Sequence, residues 1–439
     1  EDRIIAVAQD NEPAESILHW PLYKTVKKIR GEKGSRVVLT VISAADPTGS
    51  TTKIVDLIRD EVKLEEQAAT WQIHRFTKAG NQKLALGVIT LPTFYANLNV
   101  RSKEDPSYKS CADDVRTALS EMKEQKADGV LLDLRNNGGG ALFEAVKLTG
   151  LFIKHGPIVQ VRERYATKSL PDPDPEIVWD GPLVVLVDRI SASASEIFAA
   201  ALQDYGRALV VGDLRTHGKG TVQTIINLGM DQRFGSLKVT TAGYYRITGQ
   251  SVQVEGVTAD IVVPSRFGAM KLGENYLHNP IKLPPTKRVP FPQINDFGAV
   301  IPLLRERSIA RRASDSVYES YMRLLGQIEK SMQISELSLN LKDRIKRAQA
   351  EKELADLQIK ESESQAEKNA KNDPVLVETL AILSDLVSLQ SKGMVLLNAE
   401  SDATDSTHTK FLWSRKWIAV FALILPILLI LPVKRKKTQ

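Results

Sequence analysis

The run Leu183-Val-Val-Leu-Val187, followed by Asp188-Arg-Ile-Ser-Ala-Ser-Ala-Ser-Glu196 and then by Ile197-Phe-Ala-Ala-Ala-Leu202, decides how this chain folds. The first segment has no polar alternation and predicts a buried strand; the last predicts a helix. Between them lies a turn of small residues carrying three serines. A serine on a strand-to-helix turn is exposed beside backbone N–H groups that can hold an anion or a developing oxyanion. Downstream, Gly218-Lys-Gly-Thr-Val-Gln223 offers Lys219 as a base.

Working outward, the same alternation continues on both sides. Leu84–Leu91, Gly129–Asp133 and Ala208–Val211 read as strands, and Asp113–Gln125 and Leu142–Phe152 as helices. After Lys219 the pattern turns β-rich, over Thr221–Ile226 and Ser236–Arg246. Strands alternating with helices predict an α/β core, here residues 69–265. Pro171-Asp-Pro-Asp-Pro175 is expected as a rigid exposed loop within it. Residues 1–68 predict a small β-rich unit: a strand at Ile4–Ala8, a helical segment at Ile17–Ile29, and strands at Val37–Ile42 and Thr51–Ile58. Residues 266–400 change character. A proline-dotted stretch, Pro280–Pro292, leads into Leu-, Glu- and Lys-rich segments that read as long helices, with a further helix at Val375–Leu389. Residues 351–369, dense in charges of both signs, read as a solvated helical arm.

A second glycine-rich turn accompanies the serines. Leu132-Asp-Leu-Arg-Asn-Asn-Gly-Gly-Gly140 is a strand end followed by three glycines and a helix, another place where N–H groups are exposed. It is not a dinucleotide fingerprint, since Phe143 stands where the third glycine would be needed. The Lys219 segment is not a phosphate loop, because Asp213 stands where a glycine is required and Gly220 follows the lysine. Taken singly, each segment has a plainer explanation: Ser193-Ala-Ser-Glu196 fits a helix capping box, and Lys219 alone would be a solvated loop lysine. His217 invites a triad reading but has no specified partner acid.

Together, Leu132–Gly140, Ser191-Ala-Ser-Ala-Ser-Glu196, Gln203-Asp-Tyr-Gly206 and Gly218–Gln223 resemble the tail-specific, or C-terminal-processing, serine peptidases, over Gly129–Pro264. The closing Gly256-Val-Thr-Ala-Asp-Ile has Ala259 where the family usually has proline. The resemblance implies a core of the ClpP/crotonase-like type. It implies Ser193 as nucleophile, Lys219 as base, Gln223 orienting the lysine amine, and the N–H groups of Ala194 and Gly139 as the oxyanion hole. Asp204 matches a motif aspartate of less defined role. It implies no cofactor and no metal. An ordinary lysine amine, with a pKa near 10.4, is protonated at neutral pH, so the mechanism expects burial to favour its neutral form. One departure stands out: where the family reads Gly-Glu-Pro-Thr-x-Gly-Lys, Gly212-Asp-Leu-Arg-Thr-His-Gly-Lys219 has one extra residue and no proline. The extra residue is expected to bulge out before Thr216. Residues 1–68 resemble the second half of a PDZ domain, without the carboxylate-binding loop. Two rival readings stay open: a catalytically inactive peptide-binding scaffold on the same fold, and an acyl-CoA enzyme on a related core.

Charge and tail bound the partners. The net charge of +6 is exceeded by seven basic residues after Asp405 (Lys410, Arg415, Lys416, Lys434, Arg435, Lys436 and Lys437), so the remainder is near neutral and a nucleic-acid partner loses support. Residues 417–433 are uncharged and about as short as a spanning helix can be, with Trp413 and Trp417 at one edge. The basic cluster at 434–439 predicts a cytoplasmic C-terminus, with 401–416 as linker and the body on the periplasmic side of the inner membrane, within the cell envelope. The single cysteine, Cys111, excludes an intrachain disulfide and reads as a structural thiol. The chain opens inside a domain-like pattern, and the natural protein is expected to extend further at its N-terminus. The expected partners are protein or peptide substrates with exposed C-termini, and the membrane.

Overall fold

The structure is a computed structural model that describes residues 2–397, apart from 45, 47–48, 50, 61–67, 78–82, 98–104, 106–107, 230–234, 269, 334–335, 337, 348, 350–372 and 395. The charged arm at 351–369 and the segments 401–416, 417–433 and 434–439 lie outside the described residues.

The first sheet is built from β1 (Arg3–Gln9), β2 (Glu15–Ser16), β3 (Arg36–Ile42) and β4 (Lys53–Ile58), in the antiparallel order β2-β1-β3-β4. Alternation places Val37, Leu39 and Val41 inward against Val7 and Ile17. Helix α1 (Leu22–Ile29) is shorter than the periodicity predicts. Glu15–Ser16 pairs with β1, and Pro21, whose ring fixes φ, serves as the residue that opens the helix.

A six-stranded sheet forms the centre. Its strands are β5 (Thr70–Thr77), β6 (Lys83–Thr90), β7 (Gly129–Asp133), β10 (Leu183–Val187), β11 (Leu209–Gly212) and β14 (Ile261–Val262), in the order β14-β11-β10-β7-β6-β5. All neighbours are parallel except β5 and β6. β5 was not legible in the sequence, because Thr70-Trp-Gln-Ile-His-Arg-Phe-Thr77 mixes polar and apolar residues at an edge. Alternate residues of each central strand feed two separate cores. Val130, Leu132, Val185 and Val210 face α2 (Cys111–Glu124), α3 (Leu142–Gly150) and α4 (Ala194–Asp204). Leu131, Val184, Leu186 and Val211 face α5 (Val300–Ser314), α6 (Ser316–Met332) and α7 (Pro374–Ser391). A parallel sheet of this kind needs cover on both faces, and the C-terminal helices are its second layer.

Helix α7 is the one described helix long and apolar enough to cross a membrane by length and composition. Its apolar residues lie in the second core, and Gly129 of β7 leaves room for Leu383 and Val387, which a Cβ there would meet at 3.0 Å. Its buried acids, Glu378 and Asp385, pair with Arg311 of α5 at 2.8 and 2.5 Å.

A four-stranded antiparallel sheet, β12-β13-β8-β9, stands beside the core; its strands are β8 (Pro157–Arg162), β9 (Thr167–Pro171), β12 (Thr221–Asn227) and β13 (Ser236–Tyr245). Pro171, expected in the exposed loop, is the last residue of β9.

Candidate active site

The serine turn connects β10 to α4. Of its three serines, two are consumed by the turn itself. The Ser191 hydroxyl donates to the Leu134 carbonyl at 2.8 Å and accepts from the Asp188 N–H at 2.9 Å. The Ser195 hydroxyl donates to the Asn137 carbonyl at 2.9 Å. Both are fully buried, whereas Ser193 is only partly buried and faces an open cleft of about 330 Å³. Ser193 has φ +57° and ψ −110°, a left-handed backbone state that costs a non-glycine residue roughly 1–3 kcal/mol. Such strain persists only where the surroundings hold it, and here two turns and a carboxylate do so.

That carboxylate is Glu196, at the third position of α4 and completely buried. It accepts the Ser193 N–H at 2.8 Å and the Lys219 N–H at 3.0 Å on one oxygen, Oε2. Its other oxygen accepts the Gly218 N–H at 2.7 Å and the Thr216 hydroxyl at 2.6 Å. The capping acid of the helix is therefore also the clasp that joins the serine turn to the lysine loop. Burial raises its pKa from 4.5 to about 7, against the lowering effect of these donors. Tyr244, also buried, adds a second clasp: its hydroxyl reaches the carbonyls of Ser193, at 3.1 Å, and of Lys219. Burial, reinforced by Glu196, raises its phenol pKa well above the ordinary value.

In the stretch before Thr216, Leu214 projects into solvent. Thr216 itself is buried, and its hydroxyl both donates to Glu196 and accepts the Val257 N–H at 2.8 Å. Arg189 pins the same loop by donating to the Thr216 carbonyl at 2.5 Å. The lysine loop is thus held from Thr216 onward, and Lys219 lines the same cleft as Ser193. Gln223 lines it too, from an exposed position on β12. His217 is outside this lining; its N–H donates to the Ser191 carbonyl at 3.0 Å, and burial lowers its imidazole pKa.

The glycine turn packs directly onto the serine turn. A Cβ on Gly139 (φ +103°) would lie 2.8 Å from both the Ala192 carbonyl oxygen and the Ser193 Cβ. Asn137 ties the two turns together: its carbonyl accepts the Ala192 N–H at 3.0 Å, and its side chain accepts the Gly139 N–H at 2.9 Å. This last bond engages the hydrogen of Gly139, the glycine that the resemblance assigns to the oxyanion hole. Gly140 is the glycine that lines the cleft. Phe94 engages the atoms on either side of it, donating to the Gly139 carbonyl at 3.0 Å and accepting the Ala141 N–H at 2.8 Å. Ala194, the first residue of α4, carries an N–H of the kind that has no acceptor within its own helix, and it lines the cleft as well.

Asp204 lies at the far end of the same helix. It ends α4, eleven residues and about 16 Å along the helix from Ser193. Its carboxylate is clasped by Arg246, with Nη2 to Oδ1 at 2.5 Å and Nε to both oxygens at 3.1 Å. Burial raises its pKa while Arg246 opposes the rise. Asp204 anchors the end of β13 to α4 and stands apart from the cleft.

Fold and cleft together describe an α/β core of the serine-peptidase class. Residues 85–263 match the model of peptidase family S41, and residues 267–388 match that of the C-terminal domain of tail specific protease. The chain belongs to family S41, among the tail-specific or carboxy-terminal-processing proteases. It is 38% identical over 352 residues to the tail-specific protease of Haemophilus influenzae, covering 78% of this chain and 48% of that protein. It is 40% identical over 176 residues to the carboxy-terminal-processing protease of Bartonella bacilliformis, covering 38% of this chain and 40% of that protein. The solved structure of a photosystem II D1 C-terminal processing protease aligns with 29% identity and a TM-score of 0.41, over 60% of this chain and 63% of its own. The chain spans about half the length of these two curated relatives, or less.

Proposed function

We propose that this chain carries the catalytic core of a serine endopeptidase that cuts polypeptides at or near exposed C-terminal ends. The observation that carries the reading is the Glu196 clasp, which holds the backbones of Ser193 and Lys219 on one carboxylate oxygen at the wall of one cleft. In the reaction Lys219 takes the Ser193 hydroxyl proton as Oγ attacks the scissile carbonyl. The N–H groups of Ala194 and Gly140 hold the tetrahedral oxyanion. The C–N bond then breaks, the lysine ammonium returns its proton to the leaving amine, and water hydrolyses the acyl-enzyme with Lys219 again as base. Gln223, four residues after Lys219, orients the amine from the cleft wall.

The uncharged sequence at 417–433, with its basic flank at 434–437, supports a location in the cell envelope, with the body on the periplasmic side of the inner membrane. The sheet of residues 1–68 is the second half of a PDZ domain. Both assignments rest on sequence pattern, and protease accessibility of the body in intact cells tests the topology.

Purified chain is incubated with an unfolded polypeptide, beside Ser193→Ala and Lys219→Ala. Each variant is expected to lower kcat by at least about 10³-fold with its circular dichroism unchanged. Undiminished cleavage by either would remove the dyad.

A further inference from the structure

The sheet that carries Gln223 ends in an exposed strand. In the order β12-β13-β8-β9, β12 pairs among the described residues on one side only, with β13. Its first residues, Thr221, Val222 and Gln223, line the cleft together with Lys238 of β13. From Gln223 to Asn227 every residue is exposed, and so are Ser236 to Lys238 opposite them. Beyond the cleft the hairpin therefore projects as a two-stranded ribbon with solvent on both faces, an arrangement of marginal stability without a third strand.

The ribbon is also apolar where a solvated edge would ordinarily be charged. Ile225 is 68% exposed and Ile226 45%. Alternation places Ile225 on the face of Gln223, and the register sets it opposite Lys238, so this isoleucine continues the cleft wall. Ile226 pairs with Leu237 on the opposite face. An unpaired edge offers main-chain donors and acceptors to any extended chain, independent of its sequence, while alternate side-chain positions add an apolar preference.

We propose that the outer edge of β12 is a substrate-docking strand: an unfolded, apolar-rich stretch of the polypeptide being cut adds to it as a further strand and is thereby led across Ser193. The occupant is the substrate itself because the edge begins inside the cleft and leaves it without interruption. The proposal rests on the peptidase reading for the identity of the occupant, and its test does not require turnover.

Binding of a fluorescent, unfolded, Leu- and Val-rich peptide is measured by anisotropy on the full chain carrying Ser193→Ala, which prevents cleavage. Adding Ile225→Asp is expected to weaken the Kd about tenfold, as losing one buried aliphatic contact does. Tyr165→Asp, a solvent-exposed position between β8 and β9, is expected to leave the Kd unchanged. The same peptide N-methylated at alternate residues is expected to lose at least as much affinity as Ile225→Asp costs, because strand addition uses main-chain N–H groups. An unchanged Kd with Ile225→Asp, or with the N-methylated peptide, overturns the inference; so does an equal loss with Tyr165→Asp, which marks the binding as non-specific. Labelling of Ser193 by a fluorophosphonate in the otherwise native chain reads the peptidase proposal separately. Absent labelling with Ile225-dependent binding would sink the peptidase reading and leave the docking strand standing.

Discussion

Glu196 does two jobs with one side chain, and its chemistry predicts a pH signature. Its folded pKa of about 7 lies above the ordinary 4.5 because burial penalises the charged form. A raised carboxyl pKa means that the folded state binds the proton more tightly than the unfolded state. Its contribution to stability is then greatest below about 4.5, declines as pH rises towards 7, and is constant above that. Asp188, raised by burial to about 6, adds a decline of the same sign. Urea denaturation between pH 5 and 7.5 is expected to show this fall in the native protein and a smaller one in Glu196→Gln, where Asp188 and the other buried carboxyls, Asp172 among them, still contribute. The glutamine keeps the shape but turns an amide NH₂ towards the donors of Ser193, Gly218 or Lys219, leaving a buried donor unsatisfied at a cost of about 1–3 kcal/mol. Its kcat is expected to fall at least tenfold while Ser193 remains in place. The sequence shows Glu196 as a capping acid and nothing more. Its grip on Thr216 and Lys219, twenty and more residues downstream, is a tertiary fact.

The turns behave as a unit. Gly139 and Gly140 both adopt positive φ, and a Cβ on Gly140 would sit 2.3 Å from the Phe94 carbonyl oxygen. Backbone cannot yield as a side-chain tip can, so Gly140→Ala is expected to displace the turn, to abolish peptide hydrolysis and to lower the thermal midpoint. Ser191→Ala removes a fully buried hydroxyl with two partners and is expected to cost about 1–3 kcal/mol by chemical denaturation while retaining measurable cleavage, unlike Ser193→Ala. Strand–helix alternation made most of these elements legible, since a β-strand such as Leu183–Val187 and the helix after it write their burial into consecutive residues. Edge elements escaped: β5 mixes polar and apolar residues and β9 is exposed at four of its five residues, so neither carries a period. Three successive glycines look alike in sequence; only the fold shows that the side chain of Asn137 occupies the N–H of Gly139 and that Gly140 lines the cleft.

At the scale of the molecule, the C-terminal helices are structural partners of the sheet. Leu383 of α7 is fully buried beside Gly129, and Leu383→Ala is expected to destabilise the chain by about 2–5 kcal/mol, read by urea denaturation at 222 nm. Arg135 reinforces the seam: it leads into the glycine turn, forks Asp133 at 2.6 Å and meets Asp373, the N-cap of α7, at 2.8 Å. By itself the sequence determined the α/β class, the position of Ser193 on a strand-to-helix turn and the presence of Lys219, because these are written in local periodicity and in short motifs. Only the tertiary structure decided that Glu196 clasps serine and lysine together, that Asp204 belongs to Arg246, and that the last helices cover the back of the sheet. Each of those depends on pairing between residues far apart in the chain, and a buried carboxylate or a two-faced strand carries no local mark of which partner will satisfy it.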